Sequence, residues 1–277
     1  MKGTYDGVRG ALGLTRLAWR YPKHMFADVK YYAMFMGYAH SGHSVVGAIL
    51  DAHPNMVIAN ELHALREFHH HEFNKYKIFR LIMENSRTMA DKNLRKNTGY
   101  NYNIPNLYQG RFERLEVIGD KKGGASSVYC QKHPEVFETI IRMFGSSLKV
   151  IHVVRNPYDN ISAYAYRMGQ KANATLIESF FWRVDSVLNC RSKLGQEQFY
   201  TLHYDDLIRD KVGTLRELCR FLGQEADADY IEACSGALYD SPHRRRYKTE
   251  WSDEAKQLVE SYIRSTPYSE IFGRYDF

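Results

Sequence analysis

The chain has 277 residues, 44% hydrophobic content and a formal charge of +6, which fits one domain with a substantial hydrophobic core. The modest positive charge suits an anionic ligand but is far from the dense basic stripe of a nucleic-acid-binding protein, so no nucleic acid is expected. Neither an apolar run approaching the roughly 18 residues of a membrane span nor an apolar leader occurs in the sequence, which predicts a soluble, cytoplasmic protein.

Residues 1–29 are predicted to form a helical extension of a single domain that covers residues 1–277. Within the extension, leucines and a tryptophan alternate with basic residues over positions 8–24, and Pro22 is expected to end the helix. A peripheral contact of this segment with a membrane is the alternative to packing on the domain. The Asn- and Tyr-rich stretch 96–111 is predicted to be a long insert loop.

Apolar runs alternate with segments of helical periodicity along the rest of the chain. This alternation predicts an α/β fold, in which a parallel β-sheet is flanked by helices on both faces. Three of the predicted helices end at a glycine suited to a left-handed cap, namely Gly145, Gly195 and Gly223. The predicted strands are 31–36, 56–59, 115–119, 148–154 and 199–204, and the main helices begin at Ser44, Pro134, Ala174 and Val212.

The first predicted strand leads into a glycine-bearing turn, GYAHSGHS at residues 37–44, followed by a helix. Its frame is that of a phosphate-binding P-loop in which His43 replaces the lysine. Backbone N–H groups and the positive end of a helix attract an anion without that lysine. The turn therefore predicts a phosphate site for a ligand that has no γ-phosphate.

A second motif, VIHVVRNPYDNIS at residues 150–162, places Arg155 at the end of a buried strand and Ser162 on the following helix. A guanidinium group can donate two hydrogen bonds to a phosphate, and a serine hydroxyl can add another. An arginine that is only salt-bridged at the end of the sheet is the structural alternative.

Together these motifs resemble those of the sulfotransferase family. The stretch His40-Ser41-Gly42-His43-Ser44 is similar to the family's 5′-phosphosulfate loop, and Arg155-Asn156-Pro157-Tyr158-Asp159 with Ser162 is similar to its 3′-phosphate motif. LHYDDLIRDKVGTLRELCRFLG at 202–223 also looks like the family's late strand, turn and helix. The resemblance runs from about residue 31 to the C-terminus.

The resemblance implies a P-loop NTPase-like sulfotransferase fold that binds 3′-phosphoadenosine 5′-phosphosulfate (PAPS) without a metal ion. It implies transfer of a sulfuryl group to a hydroxyl acceptor, or to an amine, on a small molecule or glycan, with 3′,5′-adenosine bisphosphate (PAP) as the product. Arg155 and Ser162 would hold the 3′-phosphate. The 5′ side would be held by Ala39, His40, Ser41, Gly42, His43 and Ser44.

The chain departs from the family pattern at His40, where a lysine or arginine is usual, and at His43, where threonine is frequent. A histidine carries its charge only part of the time near pH 7, so the departure implies an enzyme that is weaker, pH-sensitive or reliant on another cation at the leaving group. Lys121 in VIGDKKGG is the preferred substitute, ahead of Lys122, because it follows a predicted strand end at the same edge of the sheet. Solvated loop lysines are the alternative.

The resemblance also implies a general base in NELHAL at residues 60–65. Glu61 is at the place where a glutamate takes the acceptor proton in relatives that act on hydroxyl groups. His63 is the competing base because its usual pKa lies closer to neutrality. By the same analogy, further cofactor contacts are expected from Tyr204, Arg245, Arg246 and Lys248.

Two rival interpretations stay open at this point. A P-loop kinase would use ATP and hold Mg²⁺ with Asp120, but it leaves Arg155 and Ser162 unexplained. A degenerate, non-catalytic member would bind a nucleotide without transferring sulfate, in keeping with His40. No metal site is expected from the adjacent histidines at 69–71, since neighbouring residues on a helix point in different directions.

Overall fold

The computed structural model describes residues 11–93, 96–97 and 100–277. Residues 1–10 of the predicted extension and residues 98–99 of the predicted insert therefore lie outside the described residues. The rest of the predicted extension contains a helix, Ala11–Arg20, and a short 3-10 helix, Lys23–Phe26.

The centre of the molecule is a five-stranded parallel sheet, as predicted. Its strand order is β2-β5-β1-β6-β7, so the first strand lies in the middle, between two strands that come later in the chain. A separate antiparallel pair, β3 and β4, lies within the predicted insert. The strands are β1 (Tyr31–Met36), β2 (Met56–Asn60), β3 (Lys96–Asn97), β4 (Tyr100–Asn101), β5 (Val117–Lys121), β6 (Leu148–Val154) and β7 (Phe199–His203).

Helices connect the parallel strands and cover both faces of the sheet. In chain order they are α1 (Ala11–Arg20), α2 (His43–Asp51), α3 (Ala64–His70), α4 (Lys75–Asp91), α5 (Gly123–Lys132), α6 (Pro134–Phe144), α7 (Pro157–Arg167), α8 (Ala174–Arg191), α9 (Tyr204–Arg209), α10 (Lys211–Phe221), α11 (Ala228–Gly236), α12 (Asp253–Arg264) and α13 (Ser269–Phe272). Among the described residues, no helix is both long and apolar enough to cross a membrane.

The sheet is buried on both faces because successive side chains of each strand point to opposite sides. Tyr32, Met34 and Met36 of β1 pack on the face covered by α1, α3, α4, α5 and α6. Ala33 and Phe35 pack on the other face, against α2, α10 and α11. A strand buried in this way leaves its carboxyl end as the place where polar groups can gather.

Three sequence predictions differ from the structure in their details. The third parallel strand is shifted from 115–119 to Val117–Lys121, so it includes a charged pair at its end. Gly195 has φ of −70° and is not a left-handed cap, because α8 already ends at Arg191; Gly145 and Gly223 do have positive φ. The predicted loop 96–111 contains the β3–β4 pair.

Candidate active site

The turn after β1 leads directly into the first turn of α2 at the carboxyl edge of the sheet. Gly42 precedes the helix with φ of 100°, a left-handed conformation that a side chain disfavours. Because glycine has no side chain with which to cap the helix, amides of its first turn are available to another acceptor. This is the arrangement that binds an anion at a helix N-terminus.

His43 faces inward from this turn. Its ring is wedged between Gly37 and Gly123, where an added Cβ would lie 2.7 Å and 2.8 Å from Nε2. That nitrogen is 3.1 Å from the Met36 carbonyl oxygen. Burial lowers the pKa of His43 to about 4, so the ring is neutral at pH 7. The side chain therefore fills space under the turn, and only its backbone amide is available to a phosphate.

The turn and the Arg155 motif are in direct contact. The Arg155 Nη1 donates to the His40 carbonyl oxygen at 3.4 Å. Asn160 of α7 donates to the Ala39 carbonyl oxygen at 2.7 Å and to the Ser41 hydroxyl at 2.9 Å. The two predicted phosphate motifs, which are more than 100 residues apart in the chain, are thus joined by hydrogen bonds at the same edge of the sheet.

Around Arg155, the segment 243–249 packs against the start of α7. The guanidinium group of Arg155 also donates to the His243 carbonyl oxygen and lies 3.9 Å from an Asp159 oxygen. Buried Arg246 donates through its backbone and its Nη1 to the two oxygens of Asp159, at 2.9 Å and 2.7 Å. The Nε atoms of Arg155 and Arg246 are buried and have no hydrogen-bond partner among the described residues.

The Ser162 side chain is fully buried one helical turn further along α7. Its hydroxyl accepts a hydrogen bond from Trp251 Nε1 at 2.9 Å, which leaves its own proton free to be donated. Of the other two predicted contacts in this region, Arg245 lies over the Tyr166 ring at 4.5 Å and Lys248 is exposed.

His40 lies at the tip of the turn with φ of 67° and is partly exposed. Desolvation, followed by the positive charges of Arg167, Arg155 and Arg245, lowers the pKa of His40 below its usual value. The ring is therefore neutral at pH 7, and fixed positive charge on this side comes from the arginines around it.

Tyr204 begins α9 and lies beneath the turn. A Cβ on Gly42 would lie 2.5 Å from Tyr204 Cδ2, so the tyrosine ring and the glycine backbone are in close contact. The buried ring supports the turn at the place where the helix starts.

On the other side of the turn, Lys121 ends β5 with an almost fully buried side chain. Its Nζ is 2.5 Å from Glu61 Oε1 and 3.2 Å from the Ser44 hydroxyl. Lys122 contacts the second Glu61 oxygen. The Lys121 ammonium group therefore links the turn 37–44 to Glu61, the predicted base.

Opposing effects determine the charge of Glu61. Burial raises the pKa of its carboxyl group, but Lys121 and Lys122 outweigh burial, and the pKa lies below its usual value. Burial lowers the pKa of Lys121, while Glu61 opposes that change. For His63, burial followed by Arg66 and Lys122 lowers the pKa to about 4, and its Nδ1 has no partner among the described residues.

With this geometry in place, comparison with known proteins identifies the family. A profile of the Sulfotransferase family matches residues 34–228, which is most of the chain. The chain belongs to the sulfotransferase family.

Curated sulfotransferases show the same relationship over shorter stretches. Sulfotransferase 2A1 of Rattus norvegicus is 29% identical over 104 residues, 32% of this chain and 37% of the relative. A 3-alpha-hydroxysteroid sulfotransferase of Cavia porcellus is 29% identical over 128 residues, 37% of this chain and 43% of the relative. The match thus spans less than half the length of these relatives.

Solved sulfotransferase structures align with nearly the whole chain at low identity. The sulfotransferase domain of the Synechococcus PCC 7002 olefin synthase has a TM-score of 0.49 and 18% identity, covering 87% of this chain and 97% of the domain. Mouse sulfotransferase SULT7A1 complexed with PAP has a TM-score of 0.49 and 12% identity, covering 90% of this chain and 88% of the mouse protein.

The candidate site also contains residues that the sequence did not single out. Ser127 of α5 accepts from the Gly37 amide at 2.8 Å and donates to the Gly37 carbonyl oxygen at 3.0 Å, which holds the start of the turn. Asn160 holds its middle, and Trp251 orients Ser162. Asn160 adjoins the arginine motif and was within reach of sequence reasoning, whereas nothing in the sequence marks Ser127 or Trp251.

Asp120 has a different role from the metal ligand of the kinase interpretation. Its Oδ1 accepts from the Leu62 amide at 3.1 Å and its Oδ2 from the Ala64 amide at 2.8 Å. Burial raises the pKa of Asp120 to about 6. Both oxygens are thus engaged by the backbone, and no group of three or more metal-ligating side chains occurs among residues 11–93, 96–97 and 100–277.

Proposed function

We propose that this sulfotransferase-family chain moves a sulfuryl group from PAPS to a hydroxyl acceptor, with an amine as the less favoured acceptor. The observation that carries the proposal is the contact of the phosphate turn with the Arg155 motif, with the Lys121–Glu61 pair beside the turn. This arrangement offers two anion-binding centres and a carboxylate within one polar surface.

The residues present fit a donor that carries phosphate groups at the 3′ and 5′ positions of its ribose. Uncapped amides at the start of α2 suit the 5′-phosphosulfate end. The buried Nε of Arg155, without a partner among the described residues, and the free proton of Ser162 suit the 3′-phosphate. His40, Arg245, Arg246, Lys248 and Tyr204 are proposed as surrounding contacts, with Arg246 acting mainly through Asp159.

The chemistry proposed is an in-line displacement at sulfur. The acceptor oxygen forms a bond to sulfur while the bond from sulfur to the 5′-phosphate oxygen breaks, and its electron pair leaves with PAP. Glu61 takes the acceptor proton, since its carboxylate is ionised and lies beside the turn. Lys121 and the α2 amides stabilise the charge that develops on the departing phosphate.

A non-catalytic PAP-binding protein is the second candidate, and the neutral state of His40 favours it. The two candidates share the binding site but differ in turnover. A kinase is disfavoured because Asp120 is engaged by two backbone amides.

The first test measures thermal stabilisation by PAP, PAPS and Mg-ATP, followed by a screen of acceptors with labelled PAPS. We expect PAP and PAPS to raise the unfolding temperature and Mg-ATP to leave it unchanged. Stabilisation by Mg-ATP alone would refute the sulfotransferase proposal, and PAP binding without transfer to any acceptor would favour the non-catalytic candidate.

The second test compares Glu61→Gln with Glu116→Gln. Glu116 is a suitable control because it also pairs with a lysine, Lys30, at 2.9 Å and also has a lowered pKa, yet lies away from the site. We expect Glu61→Gln to lose at least about 100-fold in rate and to keep PAP binding. Full activity in Glu61→Gln, together with loss of activity in His63→Gln, would transfer the role of base to His63.

A further inference from the structure

The turn that follows β2 holds both candidate bases in an uncommon backbone conformation. Glu61 has φ of 61° and His63 has φ of 66°, in the left-handed region that residues with a side chain rarely adopt. Leu62, between them, is buried in the core. A turn with two such residues so close together persists only where its surroundings hold it in place.

Two consecutive residues of β5 supply that constraint. The Lys121 carbonyl oxygen accepts from the Glu61 amide at 3.0 Å, which extends the pairing of β2 with β5 by one step. The Asp120 carboxylate then accepts from the Leu62 and Ala64 amides, on either side of His63. Asp120 is only 4% exposed, so water does not compete strongly for these bonds.

The same turn also carries the competing base. His63 Nδ1 is buried, and among the described residues it has no hydrogen-bond partner. The Glu61 carboxylate, which is about half exposed, lies on the same turn.

We propose that Asp120 is a positioning residue for sulfuryl transfer: its carboxylate clamps the Glu61–Ala64 turn and so fixes the base beside Lys121. The inference rests on the proposed function, because it requires a base on this turn. Asp120 itself touches neither donor nor acceptor, and it acts through the backbone that it holds. A displacement of about 1 Å at such a base costs on the order of 100-fold in rate.

The variant Asp120→Asn tests the clamp because an amide has only one accepting oxygen. Either the Leu62 or the Ala64 amide then loses its partner, while the size of the side chain is kept. Asp51→Asn is the matched control. Asp51 is also buried, and its two oxygens accept from the amides of Ile58 in β2 and Gly110, at 2.6 Å and 3.0 Å. The Ser86 hydroxyl is a further partner of this carboxylate, and none of these contacts involves the turn 61–64.

Both variants are compared with the unmodified protein for PAP affinity and for sulfuryl transfer from labelled PAPS, to 4-nitrophenol and to water. We expect PAP affinity within about threefold of the parent in both, transfer reduced about 30-fold or more in Asp120→Asn, and transfer within about threefold in Asp51→Asn. Hydrogen exchange should quicken at Leu62 and Ala64 only in Asp120→Asn.

Equal rate losses in the two variants, or an unchanged rate in folded Asp120→Asn, would overturn the clamp. If Asp120→Asn does not fold, Asp120→Glu takes its place; it keeps both oxygens on a longer arm and should lose about fivefold or more in rate while binding PAP. A parental rate in Asp120→Glu would likewise overturn the inference. Absence of PAP binding by the unmodified protein would instead refute the proposed function.

Discussion

The two regions of the candidate site that are proposed to bind phosphate draw on different sources of attraction. The turn 37–44 offers backbone amides and a helix end. Desolvation lowers the pKa of both of its histidines, with nearby arginines adding to the effect at His40, so both rings are neutral at pH 7. The region of Arg155, Arg245 and Arg246 offers permanent side-chain charge instead. A turn whose histidines are neutral at pH 7 thus lies beside arginines that stay charged, so the proposed ligand would find its positive charge on neighbouring elements and not on the turn.

Of the variants that test this difference, the one that removes the Arg155 side chain should change PAP affinity most. We expect Arg155→Ala to weaken PAP binding about 100-fold, or ~2.7 kcal/mol, because it deletes a partly buried charge that also braces the turn through the His40 carbonyl oxygen. Arg264→Ala is the control, since that arginine pairs with Glu260 on the surface. Calorimetric titration measures the PAP affinity of both variants. Unchanged affinity in Arg155→Ala would show that the 3′-phosphate does not bind at Arg155.

A smaller effect is expected when a methyl group is added at Gly42, just before the amides at the start of α2. Gly42→Ala would place Cβ 2.5 Å from the Tyr204 ring at φ of 100°, so the turn must move. We expect PAP affinity to fall about tenfold and the free energy of unfolding to fall by ~1–3 kcal/mol.

Gly236→Ala provides the comparison because an added Cβ there meets nothing within 4 Å. Denaturant unfolding and PAP titration of the two variants separate a local effect on the turn from a general effect of alanine. Parental affinity in Gly42→Ala would show that the amides at this end of α2 do not bind the ligand.

The smallest effect concerns the charge at position 40 and depends on pH. Because desolvation and nearby arginines lower the pKa of His40, the ring gains its proton only at acid pH. His40→Lys restores a permanent charge and should tighten PAP binding about threefold to tenfold at pH 7.5. The gain should shrink as the pH falls, because the parental histidine then becomes protonated and carries a charge of its own.

His24→Lys, at an exposed position on the 3-10 helix before β1, controls for added net charge. Titrations with PAP at pH 5, 6, 7 and 7.5 measure the difference between the variants. A gain that is equal at every pH would show that His40 is not the titrating group, and no gain at all would place the ligand away from His40.

Sequence reasoning went furthest where a local pattern carries the information. The strands 31–36 and 148–154 have the predicted bounds, because a strand buried on both faces needs an uninterrupted apolar run. Gly223 has φ of 68° just after its helix, as a left-handed cap requires. Gly145 also has a positive φ, 51°, but its ψ of −133° lies outside the left-handed helical region. Gly195 does not have a positive φ, because α8 ends earlier at Arg191 and the chain turns without a left-handed residue.

The sequence by itself determined the parallel α/β architecture, the two phosphate motifs and the family, since these depend on periodicity and on residues close together in the chain. Tertiary structure alone decided which charges meet. In the folded chain, His43 points inward between two glycines and Lys121 pairs with Glu61. The Asp120 carboxylate accepts hydrogen bonds from two amides of the turn that follows β2. Those outcomes depend on the strand order and on burial, which set each group's neighbours and its pKa.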